Sequence, residues 1–185
     1  MDAVIVAAGR GTRMRPLTDT RPKPLLPLGT ATILERTMDL CAPFVDRYVL
    51  VVGYRGEMIE AHVGSEYAGL PVSYVTQDER LGTAHAIEQA ANHVSGPFLA
   101  LNGDVVVDGS LVEQLATVDG HALAVTTVAD PTSYGVVDSD GDRVTGLVEK
   151  PEETQSNVVN VGLYAFDPSI FDAIEAIEPS SRGEY

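Results

Sequence analysis

Short apolar runs alternate with amphipathic segments over the first 117 residues, and this alternation restricts the fold more than any other feature. Strands are predicted where β-branched and apolar residues form runs bounded by turn residues, at 2–8, 47–53, 72–77 and 97–104. Helices are predicted from a capping box at Thr32 and Glu35 onward, and over 54–64 and 82–94. Strands that alternate with helices in this way indicate a parallel, doubly wound α/β sheet.

The pattern changes after residue 121, where strands follow one another with few helices between them. The stretches are ALAVTTV, YGVVDSDGDRVTGLVEK and NVVNVGLYAF, and SDGD is typical of a hairpin turn. We expect them to extend the same sheet and to form one wall of a site, and we expect a short helix near 168–176. The fold class predicted is α/β: a Rossmann-like, doubly wound mixed sheet, mostly parallel, with a β-rich extension.

Composition limits the classes of protein that this chain can belong to. A formal charge of -15 and the lack of a basic stripe argue against nucleic-acid binding. The sequence has no apolar run of the roughly 20 residues that cross a bilayer, and no basic segment precedes the first apolar run, so we expect a cytoplasmic protein without a membrane partner. Cys41 is the only cysteine and is expected to be a buried small apolar residue. Ten arginines, two lysines and abundant Asp indicate the acid-rich surface of a halophile.

One segment opposes this acidic background. VIVAAGRGTRMRPLTDTRPKPLLPLG (4–29) holds five of the twelve basic residues, namely Arg10, Arg13, Arg15, Arg21 and Lys23. Two glycines and a threonine after a strand favour a nest of backbone N–H groups for an anion. The Walker pattern is absent, and the dinucleotide pattern fails at Met14 and Pro16. We interpret the segment as a loop that wraps a polyphosphate; the alternative is a solvated loop that pairs with the acidic surface.

GRGTRMRPLT followed by RPKPLLPLG resembles the signature loop of the sugar-1-phosphate nucleotidyltransferases. Four later stretches fit the family in order, namely QDERLGTAHA (77–86), LNGD (101–104), SYGVVD with LVEKP (133–138, 147–151) and NVVNVGLYAFD (157–167). These enzymes join an NTP and a sugar phosphate into an NDP-sugar and release pyrophosphate. The resemblance implies the nucleotide-diphospho-sugar transferase fold in a single domain, with a nucleotide-binding half at 1–117 and a sugar-binding half, incomplete at its C-terminus, at 118–185.

The resemblance also implies roles for individual residues. Arg13, Lys23 and Asp104 are the expected catalytic residues, and Asp104 is the expected ligand of Mg²⁺ at the α-phosphate. UTP or dTTP is the expected nucleotide, bound by Ala8, Gly9, Gly11, Thr12, Gln77, Gly82 and Thr83. A side-chain amide at Gln77 can pair with a pyrimidine edge, and a glycine lets the ring approach the backbone. The alternative is structural: NGD is a common turn, and QDERLG can simply end a strand.

The sugar 1-phosphate is expected at four later positions, namely Gly135, Glu149, Lys150 and Asn160. Lys150 would bind the phosphate and Glu149 the sugar hydroxyls, although Lys150 can also be a surface turn residue. Glucose, mannose and N-acetylglucosamine 1-phosphate all stay open, because selectivity depends on one or two hydrogen bonds in the pocket. Nucleotidyltransferases for polyol phosphates or a pterin share a similar opening loop, but the EKP and NVG stretches favour a sugar.

The family uses a second acidic metal ligand after an RGE-type segment like that at 182–184, and we expect the chain to stop before it. Asp108 or water would replace this ligand, or the metal site is incomplete. The second hypothesis is therefore a non-catalytic subunit of the same fold that binds a nucleotide sugar or regulates a partner. A homo-oligomer is compatible with the sequence but not specified by it. The histidines lack the spacing of a zinc site, and His85 is expected to be structural or to lie near the nucleotide.

Overall fold

One mixed sheet of nine strands forms the centre of the molecule in the computed structural model, which describes residues 1–179 and Gly183. The described residues form eleven strands in all, namely β1 (Asp2–Val6), β2 (Pro27–Leu28), β3 (Ala31–Thr32), β4 (Arg47–Val52), β5 (Glu66–Tyr67), β6 (Leu70–Thr76), β7 (Phe98–Asn102), β8 (Ala122–Thr127), β9 (Gly135–Asp140), β10 (Arg143–Glu149) and β11 (Val158–Phe166). Their order across the sheet is β10-β9-β11-β7-β1-β4-β6-β5, with β8 paired to β11, while β2 and β3 form a separate two-stranded ribbon.

Five α-helices and three 3₁₀ turns connect the strands within the described residues. The helices are α1 (Ile33–Cys41), α2 (Gly56–Val63), α3 (Thr83–Glu88), α4 (Gly109–Ala116) and α5 (Ile170–Ala176), and the 3₁₀ turns are Thr12–Met14, Lys23–Leu25 and Ala91–His93. Nowhere in the described part of the chain is a helix long and apolar enough to span a membrane.

The first half of the sheet is parallel, as the sequence predicts. Strands β7, β1, β4 and β6 run side by side in one direction, with Val4 opposite both Val49 and Ala100. Alternate residues enter two apolar cores: Ile5 belongs to the core that contains residues of α1, α2 and α4, and Val4 to the core that contains residues of α3 and α5. Because both faces are covered, the strands carry continuous apolar runs.

The second half extends the same sheet, which confirms the predicted fold class. Strand β11 pairs antiparallel with β7, and Leu163 lies opposite Leu101. The hairpin of β9 and β10 turns at Gly141, which has φ 58°, so the SDGD stretch forms the predicted turn. Since β11 runs opposite to β7, its first residues lie beside the carboxyl end of β7. The β-rich half therefore reaches the edge of the sheet where the parallel strands end.

The start of α1 is the capping box that the sequence predicts. The Thr32 hydroxyl accepts from the Glu35 N–H at 3.2 Å, and the Glu35 carboxylate accepts from the Thr32 N–H at 2.6 Å. This backbone hydrogen bond lowers the pKa of the Glu35 carboxyl, because it stabilises the charged form. The box thus provides hydrogen-bond partners for the backbone N–H groups of Thr32 and Glu35.

The helix predicted over 82–94 is shorter than expected. Helix α3 ends at Glu88, and the chain continues in a 3₁₀ turn in which the His93 N–H donates to the Ala90 carbonyl at 2.8 Å. Asn92 and His93 are weak helix formers, and a 3₁₀ turn is a common way for a helix to end. The apolar positions of the turn still pack onto the sheet, since Ala90 and Val94 are buried.

Candidate active site

Four loops leave the same edge of the sheet, and three of them, after β1, β6 and β7, carry predicted site residues. They follow the carboxyl ends of β1, β4, β6 and β7, and backbone hydrogen bonds join them: Gly103 N–H to Val6 O at 2.8 Å, Gln77 N–H to Val52 O at 2.8 Å, and Tyr54 N–H to Ala8 O at 3.3 Å. In α/β sheets, ligands bind at this edge. The topology therefore gathers loops that are far apart in sequence.

The glycine loop after β1 folds back on itself. Gly11 has φ 60°, and its carbonyl accepts from the buried Thr18 hydroxyl at 2.9 Å. A Cβ atom at Gly11 would lie 2.9 Å from the Cβ of Lys23, so only glycine allows this close approach. Thr12 and Arg13 begin the 3₁₀ turn that follows, and Arg13 is exposed. The loop thus holds Lys23 beside its glycine turn and leaves Arg13 next to it.

Ala8 and Gly9 occupy the start of this loop. Ala8 is buried against the turn after β4, where a Cβ at Gly53 would lie 3.0 Å from the Ala8 Cβ. Gly9 is exposed, and a Cβ placed on it would meet no atom within 4 Å. The backbone is therefore anchored at Ala8 and open to solvent at Gly9.

Lys23 and Asp104 meet at this edge although 81 residues separate them. The Lys23 ammonium donates to the Asp104 carboxylate, and the side chains are 32% and 40% exposed. Lys23 begins a 3₁₀ turn whose Leu25 enters the core, and Asp104 lies two residues beyond β7. An exposed ion pair contributes little stability, so its importance is that it fixes two opposite charges beside the glycine loop.

The predicted sugar-phosphate residues also come together. Gly135 and Glu149 are cross-strand neighbours, and a Cβ at Gly135 would lie 3.0 Å from the Glu149 carboxylate and 3.7 Å from the Asn160 Cβ. The Lys150 ammonium lies 2.7 Å from the other oxygen of the same carboxylate. Lys150 has φ 47°, and its N–H donates to the Tyr134 carbonyl at 2.8 Å. These residues form a second polar group, which we call the hairpin cluster: Gly135, Glu149, Lys150 and Asn160.

A contact that the sequence did not predict links the hairpin cluster to β7. Gly162 has φ 80°, and a Cβ on it would overlap the Asn102 amide, with 2.3 Å between Cβ and Nδ2. The Asn160 side-chain oxygen Oδ1 accepts from the Gly162 N–H at 2.8 Å, and the Asn160 side-chain NH₂ donates to the Tyr164 hydroxyl at 2.5 Å. Asn102 precedes Asp104 by two residues, so the end of β7 carries both the carboxylate that pairs with Lys23 and the amide against which Gly162 packs. The NGD and NVG stretches contain these residues, but nothing in either stretch indicates that the two meet.

The third group lies after β6. Gln77 is buried, with 5% of its surface exposed, and its amide nitrogen lies 3.1 Å from the Gly82 carbonyl and 3.0 Å from His85 Nδ1. Gly82 has φ 109°, a backbone conformation that favours glycine, and Thr83 begins α3. The structure therefore brings Gln77 and Gly82 into contact and adds His85, whose role the sequence left open.

Asp104 fits a magnesium ion better than a metal that must be coordinated by protein side chains alone. Within 1–179 and Gly183, no three His, Cys, Asp or Glu side chains are arranged to hold a metal ion. Mg²⁺ usually keeps several waters and binds through one or two carboxylates together with substrate phosphates, which Asp104 can supply. Asp108 caps α4, and a hydrogen bond from Ser110 lowers the pKa of its carboxyl. Arg182 and Glu184, of the RGE-type segment, lie outside the described residues.

Fold and site together define an α/β protein that gathers charged side chains at the carboxyl edge of a mostly parallel sheet. The particular family follows from the sequence: the model of the nucleotidyl transferase family matches residues 2–185, and the chain belongs to this family.

Curated relatives share more than a third of their aligned residues with this chain. It is 38% identical over 185 residues to the bifunctional protein GlmU of Methanococcus aeolicus, covering 100% of this chain and 44% of that protein. It is 38% identical over 193 residues to the UTP–glucose-1-phosphate uridylyltransferase AglF of Haloferax volcanii, covering 100% of this chain and 79% of that protein. The chain thus spans less than half the length of the GlmU protein it matches.

A solved structure supports the fold. The UDP-glucose pyrophosphorylase complexed with UDP-glucose superposes with a TM-score of 0.86 and 23% sequence identity, covering 99% of this chain and 82% of that one. At this level of identity the likeness shows the fold alone, and it agrees with the predicted nucleotide-diphospho-sugar transferase fold.

Proposed function

We propose that this site transfers a nucleotidyl group from UTP or dTTP to a sugar 1-phosphate, which gives an NDP-sugar and pyrophosphate. The observation that carries the proposal is the contact between Lys23 and Asp104 beside the glycine loop, at the edge that the hairpin cluster also reaches. In the proposed division, residues 1–117 bind the nucleotide and 118–185 bind the sugar phosphate. The relatives GlmU and the AglF uridylyltransferase make this reaction class the natural one to test.

The chemical obstacle is repulsion between two anions. A sugar phosphate must approach the α-phosphate of an NTP along the line of the bond that breaks, and transfer of this type depends on position and charge neutralisation. Two opposite charges 4 Å apart attract by about 1 kcal/mol in water and by about 4 kcal/mol at an effective dielectric near 20. A cation therefore attracts the phosphates most strongly where the bound substrate excludes water from the cleft.

The glycine loop supplies the first set of groups. Backbone N–H groups of Gly9, Gly11 and Thr12 face the phosphates, Arg13 neutralises the α-phosphoryl group, and Lys23 exchanges the Asp104 carboxylate for a phosphate oxygen. Each group is exposed or half-buried, so a substrate can reach it. Arg13 offers a planar fork and Lys23 a compact charge, which suit different phosphate oxygens.

Asp104 is the residue that would hold Mg²⁺. A bound magnesium ion supplies Lewis-acid neutralisation of phosphate charge. When Lys23 turns to phosphate, the Asp104 carboxylate loses its partner and becomes available as a ligand. Pyrophosphate release, which is expected to require Mg²⁺, should therefore be lost when this carboxylate is removed.

The hairpin cluster binds the sugar 1-phosphate in this proposal. The Lys150 ammonium leaves Glu149 for the sugar phosphate, Glu149 accepts from sugar hydroxyls, Asn160 offers an amide, and Gly135 lets the ring approach the backbone. Gln77 and Gly82 face the base. Cytoplasmic location and oligomeric state stay predictions of the sequence.

Release of pyrophosphate is the decisive measurement, over UTP, dTTP, CTP and ATP combined with glucose, mannose and N-acetylglucosamine 1-phosphates. We expect release only when both substrates and Mg²⁺ are present. Loss of a cation that stabilises phosphoryl transfer costs about 10³-fold or more in rate, so Lys23→Ala should fall by that order. Arg21→Ala is the matched control, since Arg21 is an exposed cation in the same loop.

The same assay separates the alternatives. Wild-type turnover by Asp104→Ala would refute the metal assignment, and wild-type turnover by Lys23→Ala would refute the phosphate assignment. Tight binding of a UDP-sugar in calorimetry, without pyrophosphate release under any of these conditions, would favour a non-catalytic nucleotide-sugar-binding subunit.

A further inference from the structure

The His85 imidazole lies between two side-chain amides. Its Nδ1 is 3.0 Å from the Gln77 amide nitrogen, and its Nε2 is 3.3 Å from the Gln89 amide nitrogen. Gln77 lies on the loop after β6, His85 in α3 and Gln89 at the C-terminal end of α3, next to the proposed base site. The donor and acceptor roles within this group determine which atom of Gln77 can face a ligand.

The orientation of the Gln77 amide follows from Gly82. The Gly82 carbonyl, which can only accept, lies 3.1 Å from one end of the amide, so that end is the NH₂ donor. Both side-chain hydrogen bonds of Gln77 within the described residues use this nitrogen. Among the described residues, no fully buried side-chain N or O atom lacks a hydrogen-bond partner. The Gln77 oxygen Oε1 has no such partner, so it is not fully buried. The carbonyl oxygen Oε1 is therefore the end that solvent or a ligand can reach.

The same donor determines which nitrogen of the His85 imidazole carries the proton. Since the Gln77 NH₂ group points at His85 Nδ1, that nitrogen must accept and carries no proton. A neutral imidazole has one acceptor nitrogen and one N–H, so the proton is on Nε2. An imidazolium would place an N–H against the NH₂ group and push the amide away.

Gln89 competes for this arrangement. Its amide nitrogen lies 3.3 Å from His85 Nε2 and 3.0 Å from the His85 carbonyl, which would require Nε2 to accept as well. One neutral ring cannot accept at both nitrogens. The contact to Gln77 is shorter, and Gln77 is more buried than Gln89, so the contact at Nδ1 takes precedence. Gln89 keeps its hydrogen bond to the His85 carbonyl and, because it is partly exposed, can shift away from the Nε2 proton.

We infer that His85 is a positioning residue that holds the Gln77 carboxamide with its oxygen outward and so selects a base with a ring N–H on its pairing edge. Uracil and thymine present N3–H to such an acceptor, whereas cytosine presents the N3 lone pair. A site with a fixed acceptor rejects the wrong base because the two lone pairs repel and neither is hydrogen-bonded. The inference rests on the proposed function only in placing the base at Gln77.

Calorimetric binding of UTP and of CTP tests this without requiring turnover. The wild type should bind UTP at least about tenfold more tightly than CTP, and His85→Leu should reduce that ratio about five- to tenfold, the contribution of one amide hydrogen bond. His85→Asn places an oxygen near the former Nδ1 and should restore most of the ratio. His93→Leu is the matched control, an exposed histidine of the adjacent 3₁₀ turn. If His85 had only a structural role, His85→Leu would weaken the binding of UTP and of CTP equally.

The outcomes separate this inference from the proposed function. If the protein discriminates between UTP and CTP through His85 but releases no pyrophosphate, the result contradicts the proposed reaction and supports the inference. Pyrophosphate release with equal affinity for UTP and CTP would overturn the inference alone. If His85→Leu fails to fold, the ¹⁵N NMR spectrum of the wild-type imidazole decides. A proton on Nε2 and none on Nδ1 supports the inference, and a proton on Nδ1 overturns it.

Discussion

At the scale of single residues, Gly11 decides how closely the two ends of the cationic loop approach each other. Its φ of 60° is a left-handed conformation, and a Cβ there would lie 2.9 Å from the Lys23 Cβ and 3.0 Å from the Thr18 methyl group. We predict that Gly11→Ala displaces Lys23 and lowers the rate of pyrophosphate release about tenfold or more, since small misplacements of a catalytic group are costly. The rate with saturating substrates is the measurement.

Gly141 provides a matched control for backbone strain. Its φ is 58°, close to that of Gly11, but a Cβ on it meets nothing within 4 Å. Both substitutions carry the left-handed penalty of about 1–2 kcal/mol, and only Gly11→Ala also meets Lys23. Urea unfolding should therefore show that Gly141→Ala lowers the free energy of unfolding about as much as Gly11→Ala does, while the rate of pyrophosphate release is unchanged. Equal losses of activity in the two variants would contradict the role given to the close approach.

At the scale of elements, the start of α1 supports the segment that holds Lys23. The Ile33 N–H donates to the Leu26 carbonyl at 3.0 Å, one residue beyond the 3₁₀ turn of Lys23–Leu25, and the capping box at Thr32 begins the helix at this point. We predict that Thr32→Ala lowers the free energy of unfolding by about 1 kcal/mol, the usual cost of removing such a cap. Urea unfolding at neutral pH measures it. Thr30→Ala, at an exposed neighbour, should change stability much less.

The acidic half of the same capping box gives a prediction for pH. The pKa of Glu35 is lowered from its ordinary value of 4.5, mainly by the hydrogen bond from the Thr32 N–H. A lowered pKa in the folded state stabilises the protein above the ordinary value, and the contribution is lost as pH falls through the lowered one. Glu35→Gln keeps an acceptor oxygen but does not ionise. Unfolding free energies between pH 7 and pH 3 should therefore fall less steeply in this variant than in the wild type.

Elements were predictable where their signal is local. Apolar runs place β1, β4, β6 and β7 within two residues of their observed bounds, because strands buried on both faces are continuous and end at turn residues. The helix predicted over 82–94 was too long, since its apolar positions continue through a 3₁₀ turn that the same spacing cannot distinguish. The positions of site residues were predictable from motifs, but apart from the convergence of Lys23 and Asp104 their contacts were not.

Contacts depend on how distant segments meet. The predicted convergence of Lys23 and Asp104 follows from the sheet, since both lie at the edge where parallel strands end. The direction of the Gln77 amide depends on one carbonyl and one imidazole, and the fit of Gly162 against Asn102 depends on the register of β11. Neither has a sequence signal beyond the presence of a glycine or a polar residue.

At the scale of the whole molecule, the formal charge of -15 on 185 residues sets the response to salt. Exposed carboxylates repel one another and destabilise the compact state, and salt reduces this repulsion because the screening length falls from about 10 Å at 0.1 M to about 3 Å at 1 M. We predict that the melting temperature rises between 0.1 and 1 M KCl. The exposed acids of the β9–β10 hairpin offer a way to separate charge from other effects of salt, namely Asp138, Asp140 and Asp142.

Replacing these three aspartates by asparagine changes the formal charge from -15 to -12 while it keeps side-chain shape and turn-forming residues. If self-repulsion controls the salt response, the triple variant should be more stable than the wild type at 0.1 M KCl, and the difference should shrink at 1 M. Salt effects on apolar burial act on both proteins alike, so they cancel in the comparison. Calorimetric melting of both proteins across this range gives the answer. An equal salt slope in the two proteins would mean that charge density at this hairpin does not contribute to the response.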